Sequence, residues 1–272
     1  MRRADAWLMV IVGAFATFVA IAVVRAPRVP HAAATVVQAA APRASSAQPA
    51  PRSESPSPAG RVAESDAELT VTAATTQPPV RNLDDIHARI AAASDTYIGD
   101  MLADMHETLV RWPDLRERGL RIWVQSASTV PDWNLRYAQM ARDAFDDWRA
   151  AGLPMRFDYV LDSASADVHI VWIDHFPASS GRRVGSTRRA VDQNGWLARA
   201  EITIAVHDSA DRPIAPDALA GIVRHEAGHA LGLGHSRNDR TLMFPIELVD
   251  EITPLDRATA RLLYDLPPGP VG

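Results

Sequence analysis

His225-Glu226-Ala227-Gly228-His229-Ala230-Leu231-Gly232-Leu233-Gly234-His235-Ser236 is the stretch on which the reading of this chain turns. Three histidines, one glutamate and one glycine stand there at the spacing HExxHxxGxxH. On an α-helix His225 and His229 lie on one face, one turn apart. Two neutral imidazoles held that way can grip one Zn²⁺. Gly232 stands where the helix must stop, because glycine takes a left-handed turn at little cost. The chain then bends, and His235 can return as the third ligand. Three protein ligands leave the fourth tetrahedral position to water, the arrangement of a catalytic zinc site. Glu226, beside the first ligand, is placed to take a proton from that water, whose pKa zinc lowers from about 15.7 toward about 7. HExxH alone recurs by chance. The added glycine and third histidine make the whole pattern far more specific.

Thr241-Leu242-Met243-Phe244-Pro245 follows after a short polar stretch, residues 236–240. A zinc helix with a downstream methionine turn is the metzincin signature, and residues 217–245 resemble those zinc metallopeptidases. Within them the chain is most similar to the matrixins, the group with matrix metalloproteinase-type catalytic domains. Ser236 directly after the third histidine, the Leu-Met-Phe-Pro turn, and Thr253-Pro254-Leu255-Asp256 opening a helix that ends near Leu263-Tyr264 carry the likeness. In the sister astacins a tyrosine soon after the turn reaches the zinc region. Here none follows Met243 until Tyr264.

The resemblance implies an α/β (α+β) fold over residues 113–268. It consists of a five-stranded, mostly parallel twisted sheet with one antiparallel edge strand, the zinc helix, and a C-terminal helix. It implies one catalytic Zn²⁺ on His225, His229 and His235, with Met243 as a floor beneath the metal. Peptide bonds would be hydrolysed by Glu226-activated water. An extended peptide or protein substrate would pair with the edge strand, here about 184–191, as an added strand. Pro245, Ile246 and Glu247 would wall the side-chain pocket. Many matrixins hold a structural zinc and calcium ions in a loop rich in His and Asp. The loop here, 174–183, has one histidine, one aspartate and two arginines, so structural zinc or calcium is not carried over. His169, His175 and His207 read as ordinary core or surface histidines.

Hydrophobic pattern agrees with that order of elements. Residues 121–125, 155–161 and 167–173 read as strands, and 132–150 as a helix. Val184 to Val191 and Leu197 to Val206 straddle Asn194-Gly195, a hairpin signal. Pro216-Asp217 opens the zinc helix. Upstream, Ile86, Ile90, Ala93, Tyr97, Met101, Met105 and Leu109 recur at spacings of three and four, which predicts one amphipathic helix over 81–112. His87 and His106 then fall on its solvated face.

The amino terminus reads differently. Ala6 to Val24 is a run of 19 residues without a charge, near the ~20 that cross a bilayer as a helix. Residues 1–25 therefore read as a transmembrane signal anchor that places the catalytic domain outside the cytoplasm. The alternative is a signal peptide, cleaved near His31-Ala32-Ala33-Ala34, and a secreted protein. Residues 26–80, rich in Pro, Ala, Ser and Thr, read as a disordered linker.

Net charge is −5 and no basic stripe appears, which argues against nucleic acid as a partner. No cysteine occurs among the 272 residues, so none of them can form the thiolate–zinc latch of many matrixins. All 28 basic residues are arginine, a bias typical of GC-rich bacterial genomes. Two readings compete with the peptidase. One is a non-catalytic or latent zinc-binding interaction module on the same fold. The other is a membrane-anchored scaffold working through helix 81–112.

Overall fold

In chain order the elements are β1 (Ala63–Thr72), α1 (Leu83–Ala92), α2 (Ile98–Asp104), β2 (Thr108–Leu109), β3 (Leu120–Val124), α3 (Leu135–Ala150), β4 (Phe157–Tyr159), β5 (Val168–Ile173), β6 (Arg183–Asp192), β7 (Leu197–Ala205), α4 (Pro216–Ala230), α5 (Pro254–Asp265) and β8 (Gly269–Pro270). This computed structural model describes residues 63–73, 77–115, 117–246 and 248–272, all within a unit running Glu54–Gly272. The expected membrane span at 1–25 and most of the expected linker lie outside the described residues. Among the described residues no helix is long and apolar enough to cross a membrane.

Six strands form the main sheet in the order β1-β6-β7-β5-β3-β4. β4, β3, β5 and β7 run parallel, and β6 runs antiparallel to β7. Alternation places Leu120, Ile122 and Val124 of β3 in the core. Gly195, at φ 86°, makes the β6–β7 turn, where Asp192 accepts hydrogen bonds from the main-chain N–H groups of Asn194 and Trp196. α3 begins where the Asn134 side chain accepts from Arg136 N at 2.9 Å. It buries Tyr137, Ala141, Phe145 and Trp148 along one face. α4 carries proline in its first turn, where no amide is needed, and packs against α3, β6 and β7.

Two regions depart from the sequence reading. The linker does not run to residue 80, because Ala63–Thr72 is β1, paired parallel to β6 along its outer side. β6 is therefore not the sheet edge, and the sheet has one strand more than the five expected. Leu69 is 39% exposed and Val71 68%. Residues 68–72 are exposed and pair with β6 through the main chain, which hydropathy cannot register. Residues 68–72 do alternate, with Val71 between Thr70 and Thr72, a local strand signal within a polar segment.

The single helix expected at 81–112 is instead α1, α2 and β2. Ser94, Asp95 and Thr96 offer the backbone local side-chain partners, and Thr96 Oγ1 donates to Ala93 O at 2.8 Å. Tyr97 is drawn away to α5: its N–H reaches Thr259 Oγ1 at 3.0 Å and its hydroxyl reaches Asp256 Oδ1 at 3.1 Å. The second break falls at His106 and Glu107, with φ of 50° and 53°, and β2 then pairs with β8. Ile86, Tyr97, Met101, Met105 and Leu109 are all buried as the stripe requires. The periodicity found the core residues but not the element that carries them.

Candidate metal centre

α4 presents His225 and His229 one turn apart and ends at Leu231. Gly232 then takes φ 105°, and a side chain there would overlap the carbonyl of Val110. The chain turns and brings His235 back. The three rings converge through Nε2, with His225 and His229 3.0 Å apart and His229 and His235 3.2 Å apart. Their Nδ1 atoms face outward. His225 Nδ1–H donates to Leu242 O at 2.7 Å and His229 Nδ1–H donates to Leu233 O at 2.8 Å. A carbonyl can only accept, so in both rings the proton sits on Nδ1 and the Nε2 lone pairs point at one another.

Such convergence calls for a cation. A tetrahedral zinc with Zn–N of about 2.0–2.1 Å sets neighbouring ligand nitrogens about 3.3 Å apart, close to the spacing here. His225 and His229 are buried, which favours the neutral ligand form. Burial first, and then the neighbouring His235, lowers His225 to about 3 and His229 well below its usual value. The residues present thus fit one zinc ion.

Glu226 is fully buried beside the three histidines. β6 supplies its surroundings. Thr187 Oγ1 lies 2.5 Å from Glu226 Oε2 and 3.1 Å from the Glu226 main-chain oxygen. The hydroxyl has one proton, so it serves one of these acceptors at a time. A side chain at Gly185 would overlap the Glu226 carboxylate, so glycine is what lets β6 approach.

Met243 is fully buried against the helix that carries His225 and His229. A Cβ at Gly228, between the two helical histidines, would stand 2.5 Å from Met243 Sδ and 2.9 Å from Trp148 Cζ2. The turn is fixed by Asp256, itself fully buried. Its carboxylate accepts from Leu242 N at 3.0 Å, Thr253 N at 2.9 Å and Thr253 Oγ1 at 2.6 Å. Asp256 thus orients the Leu242 carbonyl that receives the His225 proton. Ser236 N–H donates to Met243 O at 2.9 Å and ties the third-ligand loop to the same turn. Pro245 is half-buried just past the turn, Ile246 is 39% exposed, and Glu247 lies outside the described residues.

Sequence reasoning missed Thr187, Arg189 and Asp104, and it did not give Asp256 this role. Arg189 of β6 is 4% exposed and donates to His229 O at 3.3 Å and Leu233 O at 3.2 Å, closing the carbonyl end of α4. Burial lowers its guanidinium to about 10. Asp104 of α2 stands against His235, an interaction that holds its carboxyl below the usual range. A useful signal existed for Arg189 and Thr187, since both lie on the inward-facing alternation of a strand next to the zinc helix. Asp104 had none.

A second group, Asp174, His207 and Asp211, has its donor atoms within 4.8 Å of one another. Both ring nitrogens of His207 are engaged by carboxylates, Nδ1 at 2.7 Å from Asp174 and Nε2 at 3.0 Å from Asp132. These bonds raise its pKa, that to Asp132 most. Of the other histidines, His169 is buried against Ser163 O, and His175 is half-exposed beside Asp174.

Comparison with known proteins bears on residues 125–264, about half of the chain, which match the family model described as Matrixin. Human matrix metalloproteinase-19 (Homo sapiens) is 34% identical over 127 residues, which make up 44% of this chain and 23% of that protein. The matching part is thus less than a quarter of that relative's length.

Proposed function

The chain belongs to the matrixin family, and we propose that it is a zinc-dependent metalloendopeptidase. The observation that carries this reading is the convergence of three Nε2 atoms, 3.0 and 3.2 Å apart, with Glu226 buried beside them. His225, His229 and His235 would hold the ion. When bound, zinc supplies a Lewis acid for the scissile carbonyl and makes a water acidic enough to lose a proton near neutral pH. Glu226 takes that proton as the water oxygen attacks the carbonyl carbon, and passes it to the amine as the C–N bond breaks. Thr187 holds the carboxylate at the correct rotation. The missing side chain at Gly185 lets β6 close against that carboxylate.

The substrate would be an extended peptide or unfolded protein segment added to β6, with Pro245 and Ile246 beside the pocket for one side chain. β1 holds that edge here, with Ser65, Ala67 and Leu69 opposite Gly185, Thr187 and Arg189. An added peptide must therefore displace β1, and this favours a latent form of the same enzyme as the second reading. Residues 1–25 would tether the domain to a membrane with its catalytic part outside the cytoplasm, or would be cleaved to release it.

The test is hydrolysis of an unfolded protein by the full chain before chelation, after it, and after zinc is restored. The proposal expects loss and recovery. Hydrolysis indifferent to chelation would overturn it.

A further inference from the structure

We propose that Asp104 is a positioning residue for the third zinc ligand, so that the N-terminal segment carrying α2 is a working part of the metal centre. This rests on the reading that the three histidines bind zinc. Each ligand ring has a partner for Nδ1, but the partners differ in kind. His225 and His229 donate to the main-chain carbonyls Leu242 O and Leu233 O, which lie within the residues matched by the family model. His235 Nδ1 instead faces a carboxylate, Asp104 Oδ2, at 3.4 Å. That carboxylate comes from residue 104, outside the matched 125–264.

The contact is built from several directions. Asp104 Oδ2 also accepts from the main-chain N–H of His235 at 3.1 Å, so one oxygen faces both the backbone and the ring of the same ligand. Asp100, four residues earlier and on the same helix face, accepts from Arg237 N at 3.0 Å. Gly234, just before the ligand, is covered by α2. A Cβ there would meet Met101 Cγ at 2.8 Å and Met105 Sδ at 3.0 Å. Ile98, Met101 and Leu102 are buried and fix the helix in place. The loop carrying His235 is thus clamped from above by α2, while Ser236 and Met243 hold it from below.

The chemistry follows from the charge. A carboxylate facing Nδ1–H fixes the tautomer with Nε2 free for metal, limits rotation of the ring, and makes the imidazole a stronger donor. A carbonyl does this less well than an anion. His235 needs it most, because it stands on a loop, whereas the other two ligands stand on α4. Asp104 itself is 41% exposed, so replacing it leaves no cavity.

The experiment uses the full chain and measures zinc affinity by competition with a chromophoric chelator, together with the visible spectrum of the Co²⁺-loaded protein. Asp104→Ala should weaken zinc binding by roughly 10–100-fold and shift the cobalt bands, the scale usual for the loss of such a partner. Asp104→Asn keeps an acceptor for the backbone of His235 but lacks the charge, and should still lose several-fold. Asp100→Ala loosens the same loop without touching a ligand, and should stay within about twofold of the unmodified chain. Zinc affinity and cobalt bands unchanged in Asp104→Ala would overturn the inference, as would an equal loss in Asp100→Ala. If the unmodified chain binds no zinc, the metal-centre reading itself fails. If it binds zinc and Asp104→Ala binds it equally well, only the role of Asp104 fails.

Discussion

The zinc helix with its methionine turn, residues 216–245, and the N-terminal segment, residues 63–109, meet at the same site but are specified in opposite ways. In the first, spacing along the chain is spacing in space. His225 and His229 are neighbours because a helix makes them so, and Gly232 turns the chain because its φ of 105° suits glycine. In the second, each contact is made across the fold: Tyr97 to Asp256, Asp104 to His235, β1 to β6. The difference teaches that the chemistry of this centre is locally encoded, whereas its support and its covering strand are encoded by partners far away in sequence.

The sharpest break of that comparison is aimed at the local region. Replacing Glu226 with Ala should lower turnover by roughly 10²–10⁴-fold, the usual weight of a general acid–base group, and leave zinc stoichiometry unchanged. Loss of zinc along with turnover would mean that Glu226 has a structural role instead. Next in size is the floor. Met243→Ala removes a fully buried side chain beneath Gly228 and should cost about 2–5 kcal/mol in denaturant unfolding. A cost below about 0.5 kcal/mol would show that the turn does not support the ligands.

The same logic applied to the distal region predicts a gain. Glu68→Pro with Thr70→Pro removes two amides that the parallel register turns towards β6, and both residues are exposed. Peptide turnover by the full chain should rise several-fold with little change in melting temperature. Unchanged turnover would mean that β1 does not compete with substrate for β6.

The smallest expected effect is one of pH. His207 lies between Asp132 and Asp174, with Asp211 nearby and His175 against Asp174, and its folded pKa is raised above 6.5. Its contribution to stability is therefore complete below that value and fades as pH rises through the higher folded pKa. The difference in melting temperature between the unmodified chain and His207→Gln should shrink from pH 6 towards pH 9, at approximate steps of one unit. A difference independent of pH would show that the imidazole is not charged there.

Much of the architecture was legible. The Asn194-Gly195 turn, the alternation in β3 and β7, and the face of α3 are local patterns, and they appear where hydropathy puts them. His225, His229 and His235 stand together, with Glu226 and Met243 packed beside them. What stayed hidden follows one rule. Residues 68–72 of β1 are exposed, so the pairing of that part leaves no hydropathic trace beyond its alternation. The stripe from Ile86 to Leu109 marked burial correctly, yet Tyr97 bonding to α5 broke the helix that periodicity alone would continue. Asp104 is an ordinary surface aspartate by sequence, and only the return of His235 beneath it makes it a neighbour of the metal centre.

The measurement that bears most directly on the central claim is cleavage of a mixed peptide library by the full zinc-loaded chain, read by mass spectrometry beside Glu226→Ala. The account predicts cuts within peptide chains, made by the unmodified protein and missing from the variant. Equal cutting by both proteins, or no cutting by the zinc-loaded chain even after Glu68→Pro and Thr70→Pro open β6, would contradict it.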